Sequence, residues 1–368
     1  MKIFFDHQAF TFLNYGGIPR YFAELASGLN RTADNQAYIS YLFSNNIHLV
    51  ESGLKVIPFF PNRTFKGKLK ILTQANQLYS ITKLKQREFD IFHPTYYDPY
   101  FLPYLKGRPF VVTFLDMIHE RFGSQFSELA YDGTITEQKR LLANRAERII
   151  AISESTKRDV VELLDINPAK IDVVYLGSSL EPKPLQSADN TANDPYLLFV
   201  GNRSMYKNFM GLLAAIHPVL KKYKVKILCA GGGQFRQEEK EFIHSLNVDE
   251  LVEQRPINDQ TLPVLYQNAL AFVFPSLYEG FGIPVLEAFA CNCPCIVSNN
   301  SSLPEVAGDA ALYIDPAIPE SMSQAVENVI TDATLRASLI EKGREQLAKF
   351  SWQRTVDETL QLYQSVAP

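Results

Sequence analysis

Glu279 and Glu287 stand eight positions apart in the run FVFPSLYEGFGIPVLEAFA, with Gly280, Phe281, Gly282, Ile283 and Pro284 between them. The glycines keep the loop out of a helix, and Pro284 suits the start of one, which puts Glu287 about one turn inside. Glu279 then lies in a loop with exposed N–H groups, and Glu287 lies on the helix that the loop begins. Two carboxylates placed this way can hydrogen-bond hydroxyls of one polyhydroxylated ligand, a sugar or a ribose. A lone glutamate near a helix start needs no ligand, because the helix dipole already favours it. The pair is what points to one.

A second loop, GNRSMYKN, follows the run YLLFV and carries Gly201, Asn202, Arg203 and Lys207 where strand gives way to helix. Two cations four residues apart can clamp a diphosphate, arginine as a flat fork and lysine as a mobile point charge. The spacing is neither G-x-x-x-x-G-K-[ST] nor G-x-G-x-x-G, which argues against nucleotide hydrolysis and dinucleotide binding. Near the N-terminus, NYGGIPR sets Gly16 and Gly17 before a helical pattern from Tyr21, a turn that lets backbone N–H groups approach an anion. A fourth loop, SNNSSLPEVAGDAALYIDP, could close over the same ligand. Its Ser301 or Ser302 with Glu305 also reads as ordinary helix capping.

Strands must hold these loops in place. The runs KIFFD, FDIFHP, FVVTFLD, RIIAIS, IDVVYL, YLLFVGN, VKILCAGGG, LAFVFPS and CPCIVS are continuously apolar, as parallel strands covered on both faces require. The fold class is therefore α/β. At 368 residues the chain is long enough for two domains. The polar, proline-rich stretch SSLEPKPLQSADNTANDP reads as the linker. This predicts two Rossmann-like doubly wound domains, 1–182 and 193–352, facing across a cleft, with ligands at the carboxyl ends of the strands.

Hydrophobic residues at 46% and charged residues at 21% provide material for full cores and exclude wholesale disorder. The formal charge of −4 gives no basis for a nucleic-acid partner. The N-terminus meets Asp6 before any long apolar core, and no run approaches a membrane span. Four cysteines, three of them at 291, 293 and 295, make neither a disulfide framework nor a convincing zinc site. A cytoplasmic location is expected. From Arg63 to Arg87 there are seven basic residues and no acidic one, interleaved with Phe65, Leu69, Leu72, Leu78 and Ile81. Such a basic amphipathic helix suits peripheral contact with an anionic membrane face, or else is a solvated helix face.

GNRSMYKN, the run from Ala269 to Pro316, YGGIPRY and FSWQRTVDETL together resemble the retaining nucleotide-sugar glycosyltransferases of family 4, the group 1 glycosyltransferases. The resemblance implies the GT-B architecture, with the last helix, 353–368, crossing back to the N-terminal domain. It implies that Arg203 and Lys207 hold the donor diphosphate and that Glu287 binds the ribose. It further implies that Glu279, with the N–H groups of Gly280, Phe281 and Gly282, orients the sugar, and that Gly16 and Gly17 face the phosphate or acceptor. The family's T-x-H-D is here Thr113, Phe114, Leu115, Asp116, so Leu115 stands where a histidine is usual. Asp116 and His119 are then the candidates beside the anomeric carbon.

The expected reaction is transfer of a hexose, with retention, from a nucleotide-sugar donor to a saccharide or lipid-linked acceptor in surface polysaccharide synthesis. UDP-glucose is taken ahead of GDP-mannose. No Asp-x-Asp pair is present, so no metal and no other cofactor is expected. The alternatives are a sugar-nucleotide 2-epimerase and a non-catalytic sugar-nucleotide-binding module.

Overall fold

The computed structural model describes residues 1–86, 88–126, 129, 133–180, 194–258 and 260–367. Most of the expected linker, and Arg87 at the end of the basic stretch, lie outside them. The chain divides into two compact units, Met1–Leu176 with Trp352–Pro368, and Gly177–Ser351.

The first unit contains two parallel three-stranded sheets. One has the order β2 (Gln36–Ile39), β1 (Lys2–Phe5), β3 (Ile91–His93); the other has β4 (Val111–Phe114), β5 (Arg148–Ala151), β6 (Ile171–Val173). A parallel bridge from Phe92 to Phe110 links them. Phe92, Phe101, Phe114, Leu142 and Ile149 are fully buried in its core. The helix Trp352–Val366 belongs to this unit: Thr355 Oγ1 donates to the Tyr175 carbonyl at 2.7 Å, and Val356 packs on Gly28 of the helix Gly17–Arg31. A methyl group at position 28 would meet Val356 Cγ2 at 2.3 Å, so the glycine sets how closely the two helices approach.

The second unit is one six-stranded parallel sheet in the order β12 (Ala311–Ile314), β11 (Cys295–Ser298), β10 (Ala271–Phe274), β7 (Tyr196–Val200), β8 (Lys226–Ala230), β9 (Val252–Arg255). β7, β10 and β11 are buried along their whole length, as expected for strands covered on both faces. The strand order reverses between β7 and β10. In a doubly wound sheet the loops leaving two such strands diverge to opposite faces and open a crevice at their carboxyl ends. The loops carrying Lys207 and Glu279 are those two.

Among the described residues there are twelve strands where nine apolar runs announce them. The three unannounced ones, β2, β9 and β12, are all sheet edges and are only partly buried, so their sequences lack a continuous apolar run. The basic stretch forms a helix only from Lys68 to Gln86, and it is not amphipathic in the expected sense. Its inward row, Leu72, Asn76, Ser80 and Leu84, is half polar, while Leu69, Ile71 and Leu78 are exposed.

Candidate functional site

β7 ends at Val200, and after Gly201 the chain forms a short 3-10 turn, Met205–Lys207, before the helix Phe209–Tyr223. The turn is pinned from both sides. Leu277 N–H donates to the Tyr206 carbonyl at 2.7 Å, and Asn208 Nδ2 donates to the Pro316 carbonyl at 3.1 Å. These contacts fix Lys207, whose Nζ lies 2.6 Å from Glu279 Oε1 and 5.1 Å from the ring centroids of both Tyr206 and Phe274. Lysine and glutamate, 72 positions apart in sequence, thus meet directly over the point where the strand order reverses.

Glu279 is held in turn by the fourth loop. Its N–H donates to Ser301 Oγ at 3.0 Å, and Ser302 Oγ lies 2.9 Å from the Glu279 carbonyl and 2.8 Å from that of Phe281. Ser302 precedes the helix Leu303–Ala307 but makes no side-chain cap to it. The capping expected of this pair is replaced by bracing of the glutamate loop. Phe281 is buried against Phe350, and Gly282, at φ +108°, has no room for a methyl group, which would sit 2.8 Å from Leu303 Cδ2.

The helix Ile283–Ala290 begins directly after Gly282 and carries Glu287 as its fifth residue. Glu287 is 7% exposed, and Tyr266 Oη lies 3.3 Å from its Oε2 and 3.3 Å from the Pro284 carbonyl. Burial, and then the glutamate charge, hold the Tyr266 phenol far above its usual pKa, so it stays a donor. Tyr266 is a residue that sequence reading missed. It carries no motif of its own and becomes visible only through its partner.

Arg203 departs from the expected two-cation clamp. Its side chain is 2% exposed and ion-paired to Glu239, itself 1% exposed, with Nε 3.1 Å from Oε1. The remaining donors reach the carbonyls of Gly231 at 3.3 Å, Gly233 at 3.0 Å and Gln234 at 3.1 Å, and the guanidinium lies 4.7 Å from the Phe235 ring centroid. The two cations therefore have different partners: Lys207 is bound to the glutamate loop, and Arg203 is built into the loop after β8. Asn202 Oδ1 accepts from Ser204 Oγ at 2.9 Å.

In the first unit, Gly16 (φ +121°) caps the helix that Gly17 begins, and the exposed Tyr15 precedes them. Asp116 and His119 follow β4 on either side of the start of the short helix Ile118–Phe122. Asp116 Oδ1 accepts from Ile118 N–H at 3.2 Å, and His119 Nδ1 lies 3.2 Å from the Leu129 carbonyl. A buried pair stands behind this turn. Lys139 Nζ lies 2.9 Å from Glu120 Oε2 and also donates to the Asp116 carbonyl at 3.1 Å.

The four cysteines are buried and free, with burial raising the Cys229 and Cys291 thiols to about 12. Among the described residues no group of three or more His, Cys, Asp or Glu side chains could hold a metal ion. No helix of the described residues is long and apolar enough to cross a membrane.

Two family profiles tile the chain: "Glycosyltransferase Family 4" matches residues 15–181 and "Glycosyl transferases group 1" matches residues 181–346. The chain belongs to the group 1, family 4 glycosyltransferases. Similar proteins include O-antigen chain mannosyltransferase B of Escherichia coli, 30% identical over 59% of this chain and 60% of that protein. Another is the MMP alpha-(1->4)-mannosyltransferase of Mycolicibacterium hassiacum, 24% identical over 63% of this chain and 57% of that protein. The match to each of these relatives spans no more than about 60% of its length. Among solved structures, sucrose-phosphate synthase from Thermosynechococcus elongatus superposes with a TM-score of 0.78 at 17% identity, covering 99% of this chain and 98% of that one. Anabaena HepE in complex with UDP and glucose does so with a TM-score of 0.76 at 15% identity, covering 99% of both chains. This family 4 chain accordingly has the two-domain, Rossmann-like GT-B fold.

Proposed function

We propose that this chain transfers a hexose, with retention of anomeric configuration, from a nucleotide-diphosphate sugar to a hydroxyl of a saccharide or lipid-linked acceptor. One observation carries the reading: Lys207 and Glu279 meet at 2.6 Å over the reversal of strand order, the place where a doubly wound sheet binds its ligand. On this reading Lys207 faces the diphosphate, Glu279 the transferred sugar and Glu287 the ribose. Asp116 and His119 are the proposed groups beside the anomeric carbon, and Gly16 and Gly17 face the phosphate or acceptor.

The chemistry asks little covalent work of the protein. The bond from C1 to the diphosphate oxygen breaks, and the acceptor oxygen bonds to C1 on the same face. The acceptor's proton passes to the departing phosphate oxygen. The developing negative charge needs a preorganised counter-charge, which Lys207 supplies. A metal is not required for that neutralisation. Activity abolished by a chelator and restored by Mg²⁺ is the result that contradicts this part of the proposal.

The names of the sequence relatives favour mannose over the glucose expected from sequence, so GDP-mannose is the first donor to test and UDP-glucose the second. A saccharide panel incubated with each donor, with and without acceptor, separates the alternatives. A new glycoside with retained configuration supports transfer, an altered donor without acceptor indicates epimerisation, and unchanged donor with tight binding indicates a binding module.

Peripheral membrane contact is part of the proposal and rests on the outer face of residues 63–86. There Phe65, Leu69, Ile71 and Leu78 are exposed among Arg63, Lys66, Lys70 and Lys85, with no carboxylate in the stretch. Sedimentation with vesicles containing anionic phospholipid at low salt should carry the protein down, and failure to do so removes the membrane element.

A further inference from the structure

The buried guanidinium of Arg203 organises a loop at the carboxyl end of β8, the neighbour of β7. The loop contains three consecutive glycines in the left-handed region, Gly231 (φ +82°), Gly232 (φ +68°) and Gly233 (φ +73°). A methyl group at Gly232 would lie 2.6 Å from the Gly201 carbonyl oxygen and 2.9 Å from Arg203 Nη1. Glycine is therefore obligatory there, and the loop lies against the start of the Lys207 loop.

The carbonyls of Gly231, Gly233 and Gln234 accept from the guanidinium, with the Gly232 carbonyl at 3.5 Å. No peptide bond in the described residues is cis. In a planar trans peptide the N–H points opposite to the carbonyl before it. Turning these carbonyls onto Arg203 thus turns the N–H groups of Gly232, Gly233, Gln234 and Phe235 away from it. Glu239 fixes the guanidinium, and the same carboxylate accepts from Arg236 N–H at 2.7 Å, which ties the loop to the next helix.

We propose that Arg203 is a positioning residue for the donor diphosphate: it touches no phosphate, and acts by presenting the N–H groups of residues 232–235 to one. The inference rests on the nucleotide-sugar reading above. Successive backbone N–H groups facing one side form an anion-binding concavity, and this one is held open by an internal cation. The arrangement divides the two cations of GNRSMYKN by task, Lys207 meeting the ligand and Arg203 shaping the wall beside it.

Calorimetric titration with UDP and GDP, and with uridine and guanosine, tests this on the whole chain and on R203K, E239Q and the double variant. R203K and E239Q should each weaken diphosphate binding about tenfold, the double variant should lose no more than either alone, and nucleoside binding should be unchanged. If Arg203 touches phosphate directly, E239Q keeps its affinity and R203K keeps most of it. Equal losses for nucleoside and diphosphate mean that the loop is merely loosened. Either pattern overturns the inference. Hydrogen exchange on the unmodified protein gives a test free of any folding defect. Amides 232–235 should slow with the diphosphate and not with the nucleoside, and their failure to slow overturns the inference. Wild-type protein that binds neither UDP nor GDP sinks the donor reading itself, a result distinct from binding without this pattern.

Discussion

Lys207 Nζ and Glu279 Oε1 are 2.6 Å apart, with the two side chains 15% and 12% exposed. An ion pair this sheltered is neither a surface decoration nor a sealed core contact. Both side chains keep part of their surface in solvent, and the protein holds the glutamate loop through Ser301 and Ser302. On the proposed reading, a diphosphate entering beside Lys207 would share the ammonium with Glu279, whose second carboxylate oxygen would take a sugar hydroxyl.

The pair predicts a division of phenotypes. Lys207→Ala should lower turnover at saturating donor by about 10²-fold or more, the scale of losing one preorganised charge-stabilising group. Glu279→Gln should keep the loop, since its anchoring bonds run through the backbone, and act mainly on the sugar. Steady-state kinetics with donor and acceptor both varied checks this. Unchanged turnover in Lys207→Ala removes the assignment.

Glu287 and Tyr266 predict how the ribose is read. A hydrogen bond involving a charged group contributes about 1.5–3 kcal/mol, so Glu287→Ala should weaken nucleoside diphosphate binding by about ten- to a hundredfold. Tyr266→Phe should weaken it less, because the carboxylate remains and only its orientation is lost. The decisive comparison uses the 2′-deoxy and 3′-deoxy nucleotides. Against at least one of them, wild type should discriminate and Glu287→Ala should not. If discrimination survives in Glu287→Ala, the ribose lies elsewhere.

The sequence shows such sites unevenly, and for physical reasons. Buried parallel strands such as YLLFV and AFVF are legible because both faces need apolar side chains, whereas the edge strands β2, β9 and β12 do not. The Glu279 loop is legible because glycines and proline spell out its geometry locally. Arg203 is not. Whether a cation faces a ligand or a buried carboxylate depends here on Glu239, 36 positions away, and nothing within GNRSMYKN records that partner. Ser301 and Ser302 mislead in the opposite way, since a local capping pattern competes with a long-range role and the long-range role wins.

Lys139 and Glu120, 1% and 3% exposed, form a buried pair under the Asp116–His119 turn. Thr136 Oγ1 donates to the other carboxylate oxygen at 3.0 Å, so Glu120 is satisfied only while the set is intact. Lys139→Ala leaves that carboxylate buried and unpaired, at a cost of about 3–5 kcal/mol, and also removes the donor to the Asp116 carbonyl. The double variant Lys139→Met, Glu120→Leu should recover most of the stability. Urea unfolding of the three proteins measures this, and a double variant no more stable than Lys139→Ala contradicts it.

Acid should destabilise the first unit through His93. This fully buried imidazole lies 2.5 Å from Tyr363 Oη through Nδ1 and 2.9 Å from Thr113 Oγ1 through Nε2, and Tyr21 Oη lies 3.1 Å from the same threonine oxygen. The rings of Phe5 and Phe22 pack against it, and burial lowers its pKa from 6.5 to about 3. Above pH 6.5 the imidazole is neutral in both folded and unfolded chains and has no effect on the balance. Between pH 6.5 and about 3 the unfolded chain takes up a proton that the folded one refuses, so stability falls as pH falls across that window. The limiting slope is about 1.4 kcal/mol per pH unit for one proton. His7, buried and also shifted downward by burial, although Asp6 opposes the shift, acts in the same direction. The chain's one tryptophan, Trp352, lies in this unit with its ring 6.5 Å from Tyr21, so its fluorescence follows the first unit rather than the second. Urea unfolding followed by that signal from pH 7.5 to 4.5 should show a steeper loss of stability in wild type than in His93→Gln, by close to one proton. Parallel curves would mean that another group carries the acid sensitivity.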